Sequence, residues 1–554
     1  MNETHLTMDS LLPLVLPLTE AFDPREATIA STHHALYTGL TTCREVVSSF
    51  LSRVEELNHN TNAIITLNPH ALQMADDYDT KLRGNDSSHG PLFCVPTLLK
   101  DNYDTADMPT TGSNLGLANS RPATDAPAVK VLKDAGAVIL GKTNLHELAL
   151  EGLTVSSLGG QTLNPYDKTR APGGSSGGTG AAVAASFAVF GTGSDTVNSL
   201  RSPASANSLY SVRPTRGLIS RDGIMPVSYT QDAVGPITRC VGDLAVALTV
   251  MSSIGYDEKD NTTALVPAGI RGTDYTSSLS AYPLTGMRFG LVEGFLNRTP
   301  STENDPVNEV MQHMVSHVRA AGAKVVSITD NMYNSDAIIQ KLDTQRFEYR
   351  ESMDAYLQRK DLGGEHPTTL NELYGSGMFL VIPAQHEYVS TALVSSTSNS
   401  TGRQGSYQDV RQGIQNLTHA LHETFKKHDL DALIYPEQRN LVVPVGSPSQ
   451  RGRNGILAAL TGSPVVTVPA GYSNPTKEAT EGVPIGMEML GLPWTEGKLL
   501  GIAWQMERML WVERRMPHWA KEKVEVKTYE TVPNVRPNTD SIPREYPLGV
   551  LLSE

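Results

Sequence analysis

The sequence predicts an α/β fold, and two kinds of pattern carry that prediction. Short apolar runs bounded by Gly, Pro or Asp are typical of buried strands, and they occur at residues 137–140, 432–435 and 465–468. Residues 40–80 instead place apolar side chains at helical spacing, from Val46 to Leu57. Strands that alternate with helices indicate an α/β arrangement. The length of 554 residues by itself allows one large domain or several smaller ones.

Composition and charge exclude several classes of protein. Apolar residues make up 39% of the chain and charged residues 19%, as in an ordinary globular protein. The net charge of -14 is spread along the chain without a basic stripe, so we expect no nucleic-acid partner. No motif has the spacing of metal ligands. We therefore expect neither a metal nor a cofactor.

The cysteines and the N-terminus give expectations about the compartment. Cys43, Cys94 and Cys240 lie far apart without a CxxC pair, so we expect reduced thiols rather than a zinc site or a disulfide framework. The apolar run at residues 11–18 has no basic flank and is too short to cross a bilayer. We expect no membrane span, no signal peptide and a cytoplasmic location.

One motif matches a phosphate-binding loop letter for letter. Residues 136–143 read Gly-Ala-Val-Ile-Leu-Gly-Lys-Thr, which fits G-x-x-x-x-G-K-[ST]. A phosphate loop follows a strand and must turn its amides toward the ligand, whereas Ala-Val-Ile-Leu is itself typical of a strand. We therefore interpret the segment as a strand and not as a nucleotide site.

Two serine-bearing turns flank a helix of small residues. Residues 173–177 fit the G-x-S-x-G nucleophile elbow, but residues 164–172 before them are typical of a loop and not of the strand that an elbow requires. Residues 181–185 predict a helix directly after this Gly/Ser loop. A second polar turn carries Ser199 and follows the apolar residues 187–190. Amides at a helix N-terminus favour negative charge, so this arrangement suits a reaction through an oxyanion.

With these motifs the chain resembles the amidase signature family over most of residues 40–520, nearest to its peptide-amidase-like or fungal-type branch. The matching blocks follow the family order and lie at residues 95–102, 135–144, 164–166, 173–185, 213–220, 231–237, 431–436, 462–464 and 468–471. The resemblance implies a single large domain with a central mixed β-sheet flanked by helices on both faces.

The resemblance also suggests how the chain is organised. We expect five segments: an N-terminal helical layer at 1–80, the signature core at 81–256, a covering elaboration of the same domain at 257–430, the C-terminal part of the α/β core at 431–530, and a tail at 531–554.

The resemblance implies a catalytic triad. Ser199 corresponds to the nucleophile, Ser175 to a bridging serine after a cis peptide bond from Gly174, and Lys100 to the terminal base. A serine hydroxyl is a weak nucleophile until a nearby base accepts its proton. Burial lowers the pKa of a lysine, which supplies the neutral amine that such a base requires.

The oxyanion hole is where the chain departs from the family pattern. The resemblance assigns the hole to the backbone amides of Thr196, Val197, Asn198 and Ser199. The family commonly has glycine before the nucleophile, whereas this chain has Val197 and Asn198. Asn tolerates the left-handed conformation, while a β-branched residue is strained there. We therefore predict a left-handed Asn198 and a negative φ at Val197.

The resemblance implies an amide hydrolase that cleaves a carboxamide C–N bond through an acyl-enzyme. We expect a small-molecule or peptidyl amide as substrate, with Gly174, Ser176, Tyr229 and Gln231 lining its pocket. The chain is expected to act as a monomer or homodimer. The departure at positions 197–198 leaves an alternative open, namely a non-catalytic or amidotransferase-type subunit of the same fold.

Overall fold

The computed structural model describes residues 22–84, 89–398, 401–402 and 405–549. The apolar run at residues 11–18, with the rest of residues 1–21 of the predicted helical layer, lies outside the described residues, as do residues 550–554 of the predicted tail.

The described residues contain fifteen α-helices, and local capping explains where several of them begin. In the second helix the hydroxyl of Thr42 accepts the amide of Glu45, whose carboxylate accepts the amide of Thr42 in return. The helices are α1 (Ile29–Tyr37), α2 (Cys43–Leu57), α3 (Ala71–Arg83), α4 (Pro127–Asp134), α5 (Gly177–Ala184), α6 (Arg201–Ala206), α7 (Val241–Ser252), α8 (Asp305–Ala320), α9 (Ser335–Leu342), α10 (Gln345–Leu357), α11 (Leu370–Gly375), α12 (Pro383–Val394), α13 (Tyr407–His428), α14 (Ile456–Thr461) and α15 (Glu496–Arg508).

The strands of the described residues form one large sheet and four short pairs. They are β1 (Ile64–Leu67), β2 (Val95–Lys100), β3 (Arg121–Pro122), β4 (Ala137–Thr143), β5 (Val155–Ser156), β6 (Gly160–Gln161), β7 (Phe190–Asp195), β8 (Tyr210–Arg213), β9 (Ala233–Thr238), β10 (Arg288–Val292), β11 (Lys324–Ile328), β12 (Leu362–Gly363), β13 (Phe379–Leu380), β14 (Thr401–Gly402), β15 (Gly405–Ser406), β16 (Ala432–Pro436), β17 (Val465–Tyr472), β18 (Pro484–Leu490) and β19 (Leu548–Gly549).

The large sheet is mixed, as predicted. Its order is β1-β4-β2-β7-β9-β8-β17-β18-β16-β10-β11. Four neighbouring pairs are parallel, namely β4 with β2, β2 with β7, β16 with β10, and β10 with β11. The other pairs are antiparallel. Helices flank this sheet, so the predicted α/β architecture is confirmed.

The register of β2 and β7 brings polar residues together at one edge of the sheet. Leu98 of β2 lies opposite Gly191 of β7. Because the strands are parallel, their carboxyl ends meet at the same edge. Lys100, the last residue of β2, is therefore level with residue 193 and adjacent to Ser194.

Helix α5 packs its first turn against this same edge. All of its residues are small and buried. A Cβ atom at Gly178 would lie 2.1 Å from the carbonyl oxygen of Asn144, the residue directly after β4. Glycine therefore allows the helix to approach the strand end this closely.

The region at residues 257–430 extends the sheet as well as covering it. Strands β10 and β11 form its far edge, whereas α10, α11 and α12 pack over Leu145, Leu148 and Met225. The expectation of a covering region did not include these two strands. Each is only five residues long within a polar stretch, which leaves a weak sequence signal.

Cys43 and Cys94 form a disulfide, which corrects the expectation of reduced thiols. Cys43 is the first residue of α2, and Cys94 directly precedes β2. Their separation of 51 residues gave no signal in the sequence. The two meet because α2 packs against β2 and β4. Cys240 is a free thiol.

Among the helices of the described residues, none combines the length and the apolarity that a membrane crossing requires.

Candidate active site

Lys100 is buried, and its amine contacts two serines. Nζ lies 2.7 Å from Oγ of Ser175 and 2.9 Å from Oγ of Ser194. Burial lowers the pKa of Lys100 from 10.5 to about 7, against the opposing charges of Asp195 and Asp232. Near neutral pH a large fraction of the amine is therefore uncharged and can accept a proton from Ser175.

Ser175 lies in the loop that leads into α5. The cis peptide bond predicted between Gly174 and Ser175 is present. Ser175 is fully buried, and its carbonyl accepts the amide of His146 at 3.0 Å. The strand-end loop after β4 thus fixes Ser175 opposite Lys100.

Ser199 lies in the second turn, next to the first. The amide of Ser176 donates to the carbonyl of Ser199 at 3.4 Å, which joins the two turns. No hydrogen bond links the hydroxyls of Ser175 and Ser199 in the described part of the chain. Catalytic hydrogen bonds are often long in unliganded enzymes and tighten with substrate. The structure therefore brings Lys100 and Ser175 together, while the second link of the triad stays a prediction.

The carbonyl groups of residues 196–199 are all bound to the protein. The pairs are Thr196 with the Gln231 side chain at 3.2 Å, Val197 with the Arg201 guanidinium, Asn198 with the amides of Arg201 at 3.0 Å and Ser202 at 2.8 Å, and Ser199 with the amide of Ser176 at 3.4 Å. The turn is therefore held from its carbonyl side.

The amide groups of the same four residues have no partner in the part of the protein that the structure describes. Within the described residues none of these four amides donates a hydrogen bond, whereas the next amide, that of Leu200, donates to Asp195 at 3.0 Å. In a planar trans peptide unit the carbonyl and the following amide point in opposite directions. The amides of residues 197–199 thus point away from the clamped carbonyls, beside Ser199, and can receive a negatively charged oxygen.

The prediction of a left-handed Asn198 is wrong, while Val197 has no positive φ, as predicted. The side chain of Asn198 explains the difference. It is buried, and Nδ2 donates to Oε1 of Glu437 at 2.7 Å. Asn198 is therefore held through its side chain, in a conformation that ordinary residues adopt.

A network of buried ion pairs stabilises the turn at residues 196–199. Arg201 contacts Asp195 at 3.1 Å and Glu488 at 2.8 Å, and Arg213 contacts Asp195 at 2.6 Å. Burial alone would raise the pKa of Asp195, but Arg201 and Arg213 outweigh it and lower that pKa to about 2. Asp195 is therefore ionised at neutral pH, and its charge holds the Arg201 guanidinium where it donates to the Val197 carbonyl.

A cavity of about 370 Å³ opens beside these turns. Its walls come from residues 221–234 and from α10, and it reaches the turns at Ser194 and Thr196. Tyr229 lies in the wall and packs against the guanidinium of Arg221. Several charged groups of the wall form ion pairs, as Arg221 does with Asp260 at 2.7 Å. Asp232 forms no ion pair within the described residues and instead accepts hydrogen bonds from the Thr196 hydroxyl and from the amides of Val227 and Ser228.

The predicted pocket residues take different places. Tyr229 lines the cavity, but Gly174, Ser176 and Gln231 do not. Ser176 is buried between the two turns, and its hydroxyl donates to the carbonyl of Ser194 at 3.3 Å. Gln231 is fully buried and acts on the turn through Thr196.

Lys142, from the rejected phosphate-loop motif, is a structural residue of β4. It is fully buried, and its amine donates to the carbonyls of Tyr103 at 2.8 Å and Pro109 at 3.0 Å. The four residues before Gly141 lie within the strand, so the interpretation as a strand is confirmed.

Sequence reasoning missed Ser194 and Glu437. Ser194 lies five residues before Ser199, and a hydroxyl near the end of β7 was the available signal. For Glu437 the only signal in the sequence was that an acidic residue follows an apolar strand. Within the described residues, no group of three or more His, Cys, Asp or Glu side chains is arranged to hold a metal ion.

The sheet, its flanking helices and the polar edge define an α/β enzyme, and solved structures share this architecture. The peptide amidase of Stenotrophomonas maltophilia superposes with a TM-score of 0.76 at 32% identity, covering 89% of this chain and 98% of that one. The A subunit of the glutamyl-tRNA(Gln) amidotransferase from Thermotoga maritima gives a TM-score of 0.67 at 26% identity, covering 91% and 99%.

Sequence comparison agrees. The amidase family model matches residues 45–500. The A subunit of the chloroplastic/mitochondrial glutamyl-tRNA(Gln) amidotransferase from Sorghum bicolor is 31% identical over 527 residues, which cover 91% of this chain and 93% of that protein. The chain belongs to the amidase family, and it is an enzyme of the class that hydrolyses amide C–N bonds.

Proposed function

We propose that this chain hydrolyses carboxamides with Ser199 as nucleophile, Ser175 as proton relay and Lys100 as base. The observation that carries the proposal is the 2.7 Å contact between the Lys100 amine and the Ser175 hydroxyl. Burial that brings the pKa of Lys100 to about 7 makes this amine a usable base at neutral pH.

Acylation begins with attack of the Ser199 oxygen on the amide carbon. Its proton passes to Ser175 while the Ser175 proton passes to Lys100, so that one net proton reaches the amine. The carbonyl oxygen becomes an oxyanion held by the free amides of residues 196–199. Collapse breaks the C–N bond, and the leaving nitrogen takes the proton back through the relay. The amine departs and an ester on Ser199 remains.

Deacylation repeats the sequence with water. Lys100 and Ser175 remove a proton from the attacking water, the same amides hold the second oxyanion, and the ester bond breaks. Ser199 recovers its proton, and the carboxylic acid leaves. Substrate binding must bring Ser199 within hydrogen-bond reach of Ser175, which is the one movement this mechanism requires.

The substrate that we favour is a carboxamide with a small or peptidyl acyl group. Two observations support it. The cavity beside Thr196 combines apolar wall residues such as Ile224, Met225 and Val234 with charged groups that already have protein partners, and the structural neighbour at 32% identity is a peptide amidase. A neutral acyl group fits such walls without leaving a charge unpaired.

A second candidate is a subunit of an amidotransferase. It is favoured by the similarity of 31% over 91% of the chain to a protein named as the A subunit of a glutamyl-tRNA(Gln) amidotransferase. Hydrolysis by the purified chain alone, without further subunits, separates the two. Size-exclusion chromatography of the same sample tests the prediction of a monomer or homodimer.

Labelling with a fluorophosphonate tests the nucleophile. We expect Ser199 to displace fluoride and form a stable adduct, located by peptide mass spectrometry, and Ser199→Ala to remove it. Ser202→Ala is the matched control, because it deletes a buried hydroxyl three residues along that makes no hydrogen bond within the described part of the chain. An adduct that persists in Ser199→Ala would reject the assignment.

A panel of amides then tests the reaction. Primary amides, peptide amides and anilides should release amine from the wild-type chain and none from Ser199→Ala. Absence of both labelling and hydrolysis in the folded wild type would favour the non-catalytic subunit.

A further inference from the structure

The turn that carries the predicted oxyanion hole is tied to a carboxyl group outside the triad. Asn198 and Glu437 are both buried, and Nδ2 of Asn198 donates to Oε1 of Glu437 at 2.7 Å. The two residues are 239 positions apart. This is a long-range contact that joins the nucleophile's neighbour to the end of β16.

The carboxyl side of this contact is rigid. Glu437 directly follows β16. Its amide donates to the carbonyl of Gly486 at 3.1 Å, and its carbonyl accepts the amide of Asn454 at 3.0 Å. A backbone fixed at both polar groups gives its side chain a defined place from which to hold Asn198.

The opposite face of Asn198 is closed as well. A Cβ atom at Gly455 would lie 2.4 Å from the carbonyl oxygen of Val197 and 2.5 Å from the Cβ atom of Asn198. Asn198 is therefore packed between Gly455 and Glu437. Loss of the hydrogen bond to Glu437 would allow the Asn198 side chain to move toward the Glu437 side. The two peptide units on either side of Asn198 would then turn with it.

The position matters because residue 198 lies between the free amides of Val197 and Ser199. The amidase family that the chain resembles commonly has glycine here. Glycine brings no side chain that must be buried, whereas Asn brings an amide that needs a partner. Glu437 supplies an acceptor for Nδ2, while Oδ1 of Asn198 is buried without a hydrogen-bond partner among the described residues. The contact with Glu437 is thus the hydrogen bond that fixes this side chain.

We propose that Glu437 is a positioning residue for amide hydrolysis, which holds residues 196–199 in their oxyanion-binding conformation through the side chain of Asn198. The inference rests on the proposed function and adds to it a residue that touches neither substrate nor nucleophile.

The charges around Glu437 suit this role. It faces Glu488 on β18, Arg201 on α6, Arg453 in the segment before α14, and Tyr435 on β16. Burial and the neighbouring Glu488 raise the pKa of Glu437 to about 8. At neutral pH it therefore binds Asn198 without placing a negative charge beside the developing oxyanion.

A double-mutant cycle tests the proposal. Glu437→Leu removes the acceptor, and we expect kcat to fall about 10- to 100-fold with KM changed less than about threefold, since a small displacement of catalytic groups costs about this much. Glu437→Gln keeps an oxygen acceptor and should retain kcat within about threefold at pH 7. In the Asn198→Gly background, Glu437→Leu should change kcat by less than about threefold, because no side chain remains to be held.

Equal losses from Glu437→Leu in the two backgrounds would overturn the proposal, since Glu437 would then act through general stability. If Glu437→Leu does not fold, Asn198→Ala removes the same hydrogen bond and leaves the carboxyl group in place. A wild-type kcat in Asn198→Ala would then overturn the proposal. Thermal unfolding of each variant identifies those that fold.

A pH profile adds a readout that a merely structural residue would not change. We expect kcat of the wild type to fall above about pH 8, because ionised Glu437 would place a negative charge beside the oxyanion. This alkaline fall should be absent in Glu437→Gln, and a profile that is the same in the two proteins would contradict the proposed role of the neutral carboxyl group. Labelling and hydrolysis by the wild type are measured first. Their absence would reject the proposed function, whereas a wild-type rate in Glu437→Leu would reject only this inference.

Discussion

At Lys100 the side chain is long enough to reach both serines and has no exposed surface. A lysine on the surface would be almost fully charged at neutral pH, because its pKa would stay near 10.5. The burial of this one residue decides whether the site can remove a proton.

We therefore expect kcat/KM to rise with pH through about 7, the pKa to which burial lowers Lys100. The sign follows from the role: the charged amine below that pH cannot accept a proton, and the neutral amine above it can. Initial rates of amide hydrolysis across pH measure this limb. Lys100→Met should abolish turnover, while Lys130→Met, at an exposed lysine, should not change it. A rate in Lys100→Met equal to that of the wild type contradicts the assignment.

The place of Ser199 in the triad stays a prediction. Lys100 and Ser175, whose contact the structure shows, could be predicted because each lies in a local block that resembles the family. Ser194 and Glu437 could not, because their contacts depend on partners 94 and 239 positions away. The prediction for Asn198 was wrong for the same reason. Local conformational preference favoured the left-handed region, and a distant carboxyl group satisfied the side chain in another conformation.

Among the elements, the turn at residues 196–199 depends on others that hold its carbonyls. Gln231 is central, because it donates to the Thr196 carbonyl at 3.2 Å and accepts the Thr344 amide at 2.8 Å. It thereby connects the turn to the beginning of α10.

Replacing Gln231 by Leu should lower both stability and turnover. Two buried backbone groups lose their partners, at about 1–3 kcal/mol each. We expect kcat to fall about tenfold as the turn loosens, which is less than the loss of a whole oxyanion donor. Urea unfolding and steady-state kinetics measure the two effects, with the exposed Gln312→Leu as control. An unchanged kcat in a destabilised Gln231→Leu protein would mean that turnover does not depend on the hydrogen bond from Gln231 to the Thr196 carbonyl.

The close approach of α5 to the sheet edge gives a second prediction at this scale. Gly178→Ala improves helix propensity by about 1 kcal/mol, but its methyl group would lie 2.1 Å from a backbone oxygen. We expect a net loss of about 1–3 kcal/mol, since overpacking against backbone is not relieved by rotamer changes. Thermal unfolding tests this against Gly269→Ala, where the added atom meets nothing within 4 Å. Equal melting temperatures for the two variants would contradict the packing argument.

The strands at residues 137–143, 432–436 and 465–472 could be predicted from their apolar runs. The order of the eleven strands could not, since a local pattern does not specify a pairing partner. That order is what places Lys100 beside Ser194.

For the molecule as a whole, the disulfide between Cys43 and Cys94 joins the helical layer to the strand that ends at Lys100. It closes a loop of 51 residues, which in the chain-entropy account stabilises the fold by about 4 kcal/mol.

Cys43→Ser should therefore lower the urea midpoint, and a reducing agent should do the same to the wild type. Cys240→Ser is the control, because Cys240 forms no disulfide. Activity of the folded protein should remain, since neither sulfur contacts Lys100, Ser175 or Ser199. Identical midpoints for oxidised and reduced protein would show that the fold does not depend on the cross-link.

This cross-link also has a practical consequence for recombinant production. Disulfides form in oxidising surroundings and are rare where glutathione keeps thiols reduced. A bacterial host with a reducing interior would yield the dithiol form, and one with an oxidising interior the bonded form. Preparations from the two hosts should then differ in heat tolerance while sharing the same turnover number.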